Sequence, residues 1–326
     1  MNIEAKKLAP VFGANGCASG DGAIPRRALP PDTLPHLVAS LKTQWKRYRR
    51  KVKRCQKRFS TEAVHDSRVE TRRLLSLVEL LEPFLASGRL KKVERCLKRY
   101  LDTFDDLRDT QVQLPRVRKL LRDFPGPRSF YIYLRKHEVR LAKRTRKDIK
   151  RFKTKRLNRL IAACRKDVTE PGQPHDLAAA SAVLLRCVDR AFARTCRLRA
   201  RINRRNTATI HRTRVAFKKF RYMVETLAHY LGATDSQYLA AMHEYQTMMG
   251  DIQDAEVLLQ SLDAHLLKKP REAKTAGPFR RELARRRVAL IRVYLDSAGH
   301  LLDFWPAPRR PAAVSRVSAN RPLPQS

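Results

Sequence analysis

Two histidines, His65 and His211, each head a run of cations at matching offsets. Arg68, Arg72 and Arg73 follow the first; Arg214, Lys218, Lys219 and Arg221 follow the second. The stretches read "VHDSRVETRRLLSLVEL" from residue 64 and "IHRTRVAFKKFRYMVETL" from residue 210. A helix turns about 100° per residue, so offsets of three, seven and ten from the histidine fall near 300°, 340° and 280°. Most apolar positions further on fall at about 120–220° instead: Leu74, Leu77, Val78 and Leu81 in one stretch, Phe220, Met223 and Leu227 in the other. A narrow cationic stripe therefore runs beside the face that packs. Cations one turn apart stand about 5–6 Å from each other, a spacing that suits successive phosphates of an extended polyanion. A histidine among them loses basicity and regains it when an anion arrives, which gives it the part of a neutral hydrogen-bond donor.

Carboxylates recur with the same regularity. Glu79 and Glu225 return to the stripe fourteen residues after each histidine, near 320°. They repel phosphate, so their expected part is to hold the cations extended. Asp106 with Asp109 in "FDDLRDTQV" (104–112), and Asp251 with Asp254 in "MGDIQDAEV" (249–257), are spaced to orient cations or to cap helix starts.

These residues give little support to catalysis. Helical metal sites pair a histidine with another histidine or a carboxylate at the third or fourth position, and here an arginine stands there. No Walker A loop, H-E-x-x-H or nucleophile motif occurs. The expectation is no catalytic residue, no metal and no cofactor, with a metal-dependent phosphohydrolase the least favoured class.

The elements that carry the stripes follow from periodicity. Between scattered prolines lie long segments with apolar residues every three or four positions and almost no glycine, which predicts an all-α fold. An internal repeat organises them: His65 and His211 stand 146 positions apart, and the acidic stretches follow in register. "FPGPRSFYIYLRKHEVRLAKR" from 124 then matches "TAGPFRRELARRRVALIRVYL" from 275, and a basic amphipathic segment precedes each histidine helix. The order in each half is basic helix, histidine helix, acidic helix, helix opened by Gly-Pro. That predicts two four-helix bundles related by a pseudo-twofold axis, repeat one at about 34–168 and repeat two at about 175–305. Residues 1–33 are expected to be a flexible leader, and 306–326 a disordered basic tail.

Composition limits the partner. A formal net charge of +40, from 71 Lys+Arg against 31 Asp+Glu, opposes folding by self-repulsion and calls for a polyanion. Nucleic acid, an anionic membrane surface and a phosphate polymer all qualify. With 7% aromatic residues and no stacking platform, single-stranded nucleic acid is weakly supported, though the basic tails suit non-specific contact with it. The six cysteines form no C-x-x-C pair, no apolar run approaches transmembrane length, and no secretory leader is visible. A soluble, cytoplasmic protein with reduced thiols is expected; the sequence leaves its oligomeric state open.

The paired "VHDSRVETRR" and "IHRTRVAFKKFRYMVE", with "DDLRDTQV" and "GDIQDAEV" after them, resemble the CHAD family, the conserved histidine α-helical domain, over roughly residues 34–305. The resemblance implies two helical bundles around a basic channel that binds inorganic polyphosphate, with an association with polyphosphate granules or phosphate metabolism. It assigns binding to His65, Arg68, Arg72, Arg73, His211, Arg214, Lys218, Lys219 and Arg221. The first copy departs from the second at Leu75 and Ser76, which stand where Arg221 and Tyr222 do. "EAKK" at 4–7 is only a fragment of the E-x-E-x-K motif of a fused triphosphatase, so the chain resembles a stand-alone member.

Overall fold

The computed structural model describes residues 29–169, 176–231 and 236–305. Most of the expected leader, all of the expected tail and the joint at 170–175 lie outside the described residues. Ten α-helices form among the described residues, and no strand does. In the first half these are α1 (Thr33–Lys57), α2 (Thr61–Leu80), α3 (Arg89–Asp102), α4 (Asp105–Leu120), α5 (Arg128–Arg151) and α6 (Lys155–Thr169). The second half gives α7 (Leu177–Arg199), α8 (Thr207–Leu227), α9 (Ser236–Lys268) and α10 (Ala273–Ser297), with 3-10 turns at Pro270–Glu272 and Ala298–Phe304.

Local chemistry sets the ends of the two histidine helices. Ser60 accepts a hydrogen bond from the Ala63 amide at the start of α2, and Asn206 accepts from Ala208 at the start of α8. Each cap satisfies one of the amide donors that a helix start leaves free. Glu82 and Pro83 stop α2 in a short 3-10 turn.

The repeat is visible in the element order, with three departures. The acidic unit of the first half breaks into α3 and α4 at Thr103 and Phe104, whereas α9 runs unbroken for 33 residues. Phe104 is fully buried at that break, so the chain turns there to seat its ring. The Gly-Pro pair opens α5, but α10 starts earlier, at Ala273, and carries Pro278 inside it. An additional helix, α6, packs on α1 and α3; the 3-10 turn Ala298–Phe304 packs against α7, α9 and α10 in the other half.

Two apolar cores hold these helices, and each draws on both copies. The larger joins Tyr48, Tyr100 and Phe104 of the first half to Phe217, Phe220, Tyr245 and Tyr294 of the second. The smaller joins Val117, Leu120, Phe130 and Leu134 of α4 and α5 to Leu258, Leu262, Phe279 and Leu283 of α9 and α10. Leu29, which the sequence reading placed in the leader, is 3% exposed and belongs to the larger core. The halves interlock through α2 against α8, α1 against α7, and α4 against α9. The two histidine helices thus pack directly against each other.

One close approach locks the far ends of the halves. Gly126, just before α5, lies against the backbone of Thr275 in α10, and a methyl group there would collide with the Thr275 carbonyl. Its repeat counterpart, Gly277, has only the tip of Arg281 at 3.6 Å from where a methyl group would stand. Gly126→Ala is expected to cost about 1–3 kcal/mol through forced backbone movement. Gly277→Ala trades the usual helix gain against a clash of the new methyl group with the following Pro278, and is expected to change stability by less than about 1 kcal/mol. Thermal unfolding of the two variants checks this, and equal Tm values would contradict the contact.

Candidate anion-binding site

The crossing of α2 and α8 brings the two cationic stripes into one layer, with α4 and α9 supplying acids opposite. Arg68 is 8% exposed and fully engaged. It donates to the Leu101 carbonyl at 2.9 Å and to Asp105 at 2.9 Å, and lies over the Phe104 ring. Leu101 is in the last turn of α3, so the break between α3 and α4 exposes a carbonyl that the guanidinium takes up.

Arg72, Arg214 and Lys218 have no such partner. All three are half-buried, and none of the described residues pairs with them through a hydrogen bond or ion pair. The Arg214 Nε is buried without an acceptor. Burial, then Arg72, Arg214 and Arg68, push the Lys218 ammonium down to about 6. Burial together with Arg68 and Arg214 takes Arg72 down to about 10. Burial also lowers Arg214, against the opposing field of Asp254. Cations from both copies therefore share one partly dry space without a counter-charge in contact, which is an arrangement that an anion stabilises.

The histidines are not equivalent. His211 is half-buried beside this group, its Nδ1 has no partner, and burial followed by Arg214 lowers its pKa. His65 is exposed. Other residues expected at the site serve as struts. Arg221, 8% exposed, donates to Gln246 at 3.1 Å and to Glu225 at 2.6 Å, and stacks over Tyr222 at 4.8 Å. In the first copy Leu75 stands at the Arg221 position, so Glu79 lacks an arginine one turn away. Lys219 fills the gap by crossing from α8 to Glu79 at 3.1 Å. Burial raises the Glu79 carboxyl, and Lys219 draws it back. Arg73 is directed elsewhere: it bonds Glu70 at 3.1 Å, whose other oxygen accepts from Gln44 of α1 at 2.6 Å.

The acids also differ from expectation. Asp105, not Asp106, meets Arg68; Asp106 is exposed, with Arg144 at 3.6 Å. Asp251 and Asp254 are both held by Arg116 of α4, at 2.7 and 2.9 Å. Since α9 runs through them, neither caps a helix start. Asp109 and Asp254 approach each other from the two copies, and each is raised by loss of solvent and by neighbouring acids. Two contributors escaped the sequence reading. Arg116 has no cationic counterpart in the second copy, where Ser261 stands, so the repeat did not point to it. Asp105 has Gly250 as its counterpart, and a side chain at 250 would start 3.4 Å from the Arg214 Nε. Reading the two acidic stretches against each other exposes that exchange.

Among the described residues no group of three or more His, Cys, Asp or Glu is placed to hold a metal ion, and no helix is long and apolar enough to cross a membrane. The five cysteines among them are free thiols.

Comparison with known proteins agrees with this architecture. A family model described as "CHAD domain" matches residues 36–263. The crystal structure of the CHAD domain from the plant Ricinus communis superposes with a TM-score of 0.60 at 19% identity, over 85% of this chain and 93% of that one. At that identity the likeness is one of fold. No curated protein matches the sequence.

The unpaired cations carry a stability cost with a defined pH dependence. The folded state favours the neutral Lys218 amine, so folding releases its proton at any pH between about 6 and the ordinary lysine range. Stability from this group therefore falls as pH falls toward about 6 and levels off below it. Lys218→Met is expected to raise the Tm of the free protein by about 2 °C at neutral pH and to flatten its rise between pH 6 and 10. Thermal melts across that range check both.

Proposed function

The chain belongs to the CHAD domain family, and we propose that it binds inorganic polyphosphate, without catalysing its transfer, in a basic channel between α2 and α8. The observation that carries this reading is the Arg72, Arg214 and Lys218 group, drawn from both copies and held half-buried without a counter-charge in contact. A polymer of phosphates answers that arrangement better than a single anion, because the cations are set along two crossing helices rather than converging on a point. In this reading Arg68, locked to Asp105, shapes the wall, and Arg221 and Lys219 brace the helices through Glu225 and Glu79. The two copies act as pseudo-twofold-related units at about 34–168 and 175–305, each built on four repeated elements, with the acidic element of the first broken in two and α6 added to it, and with the channel at their junction. Such a protein would be cytoplasmic and associated with polyphosphate granules.

Binding needs only charge and hydrogen-bond donors, which arginine and lysine supply. Transfer would further require a nucleophile or base positioned beside the phosphorus, and the reading assigns that part to no residue.

Two outcomes test the reading. Long-chain polyphosphate is expected to lose about tenfold or more in affinity for each of Arg72→Ala, Arg214→Ala and Lys218→Ala, each a charge-assisted contact. Arg73→Ala is expected to change it less than about threefold, and duplex DNA at equal phosphate concentration to fail to displace the ligand. Fluorescence anisotropy at fixed salt gives the answer, and an unchanged affinity in all three variants would sink the assignment.

The second outcome concerns protons. Free Lys218 is neutral above about pH 6, and a bound polyanion restores its charge, so binding takes up a proton. Affinity is expected to rise as pH falls toward about 6 and then to level, apart from the smaller contribution of His211. Lys218→Arg should keep the affinity and lose that dependence; calorimetry in buffers of different ionisation enthalpy counts the proton directly.

A further inference from the structure

Aligned residue by residue, the copies differ in where they carry acid. In the first copy Glu62 and Asp66, at the start of α2, neutralise α1: Arg54 meets Glu62 at 3.1 Å, and Lys51 meets Asp66 at 2.6 Å. The corresponding residues at the start of α8 are Ala208 and Arg212. The Asp105 that occupies Arg68 corresponds to Gly250 beside Arg214. Three acids of the first copy are thus absent from the second: Asp105 touches the stripe through Arg68, while Glu62 and Asp66 flank His65 on the side that faces α1.

The backbone differs at the same end. Only residues 58–60 separate α1 from α2, whereas 200–206 separate α7 from α8, because α7 stops a turn sooner. The longer link carries Arg204 and Arg205, which pair with no acid among the described residues. With Arg287 and Arg292 of α10 they line an open cleft of about 870 Å³. Glu256 and Asp296 also line it; Glu256 bonds Arg287 at 2.9 Å, and the Arg287 Nε is buried without a partner. The cleft includes Thr207, one turn before His211. Thr207, His211, Arg214 and Lys218 fall within about 60° of one another around α8, so the cleft lies on the line of the inner cations, about 16 Å from Lys218.

We propose that a polyphosphate chain held by Arg72, Arg214 and Lys218 runs out along the second copy only, and that the cleft of Arg204, Arg205, Arg287 and Arg292 is an outer subsite for its further phosphates. This rests on the functional reading above and adds a direction and a length dependence to it. Along α8 cations continue from the inner group to the cleft, while at the start of α2 Glu62 and Asp66 offset the charges of Arg54 and Lys51. A chain too short to leave the inner cations has no use for the cleft; a longer one gains from it by releasing more counterions.

The test compares tripolyphosphate with long-chain polyphosphate on the full chain. Arg204→Ala/Arg205→Ala is expected to weaken the long chain about tenfold and to reduce its salt slope by about one to two, with tripolyphosphate changed less than about threefold. Arg54→Ala/Arg58→Ala, at the first-copy end, is expected to change neither ligand by more than about threefold, and circular dichroism confirms that both variants fold. An equal loss for the two double variants, or none for Arg204→Ala/Arg205→Ala, would overturn the outer subsite and leave the inner one standing. Two tripolyphosphates per chain, the second lost with Arg204→Ala/Arg205→Ala, would assign the cleft to separate short anions and overturn the path. Failure of the intact protein to bind either ligand would overturn the functional reading and this inference together.

Discussion

The constraint on which this structure depends is a layer of like charge held where two packed helices cross. Arg68, Arg72, Arg214 and Lys218 come from two helices that pack against each other, and burial weakens the solvent screening that would otherwise separate them. The two apolar cores supply the favourable free energy, and both are built from residues of both copies. Acids from α4 and α9 offset part of the repulsion at a distance, and Arg116 in turn holds two of those acids. The layer is therefore neither a random charged face nor a set of closed ion pairs. It is under-neutralised by design of the packing, and only Arg68 is individually satisfied.

Divergence of the copies explains which cations remain open. In α8 an arginine and a glutamate one turn apart, Arg221 and Glu225, form a closed pair. When leucine occupies the arginine position in α2, the glutamate is left buried, and a buried carboxylate needs a cation or a proton. Lys219 answers from the neighbouring helix, so the loss within one copy becomes a bond between copies. The exchange of Asp105 for Gly250 acts in the opposite direction: it closes Arg68 and leaves Arg214 open. The two stripes share their spacing, and single differences between the copies make them unequal.

How much of this was legible in the sequence follows from what periodicity encodes. The angle around a helix placed Arg68, Arg72, Arg214 and Lys218 on one stripe, and the repeat paired the helices that carry it. Arg73 and Lys219, at the eighth position after each histidine, fall near 80°, off the stripe; the family resemblance brought them in, and the structure directs both to carboxylates. Tertiary contact decided the rest. Asp105 and Asp106 are adjacent and identical, so only the break at Phe104 determines which one faces Arg68. The separate α6 and the single packing of both halves also lay beyond a reading that treats each copy as its own unit, since amphipathic faces show what is buried but not against whom.

Lysine rather than arginine at position 218 has a physical consequence that bears on the whole layer. Its counterpart in α2 is Arg72, whose guanidinium stays protonated at neutral pH even after burial takes it down to about 10. A second arginine there would fix another full charge in the free protein, opposed by Arg72, Arg214 and Arg68 together. The amine can instead give up its proton and remove one repulsive charge from the layer, at no loss of volume in the packing. Phosphate oxygens bound there, as proposed, would return the proton to the amine and meet up to three donors. A site that works in this way would be less charged when free and more charged when filled, with the free energy of that proton shared between folding and binding. A fixed cation cannot divide its free energy in this way, so under the proposed function Lys218 would let the crossing of α2 and α8 be both stable enough to pack and cationic enough to bind.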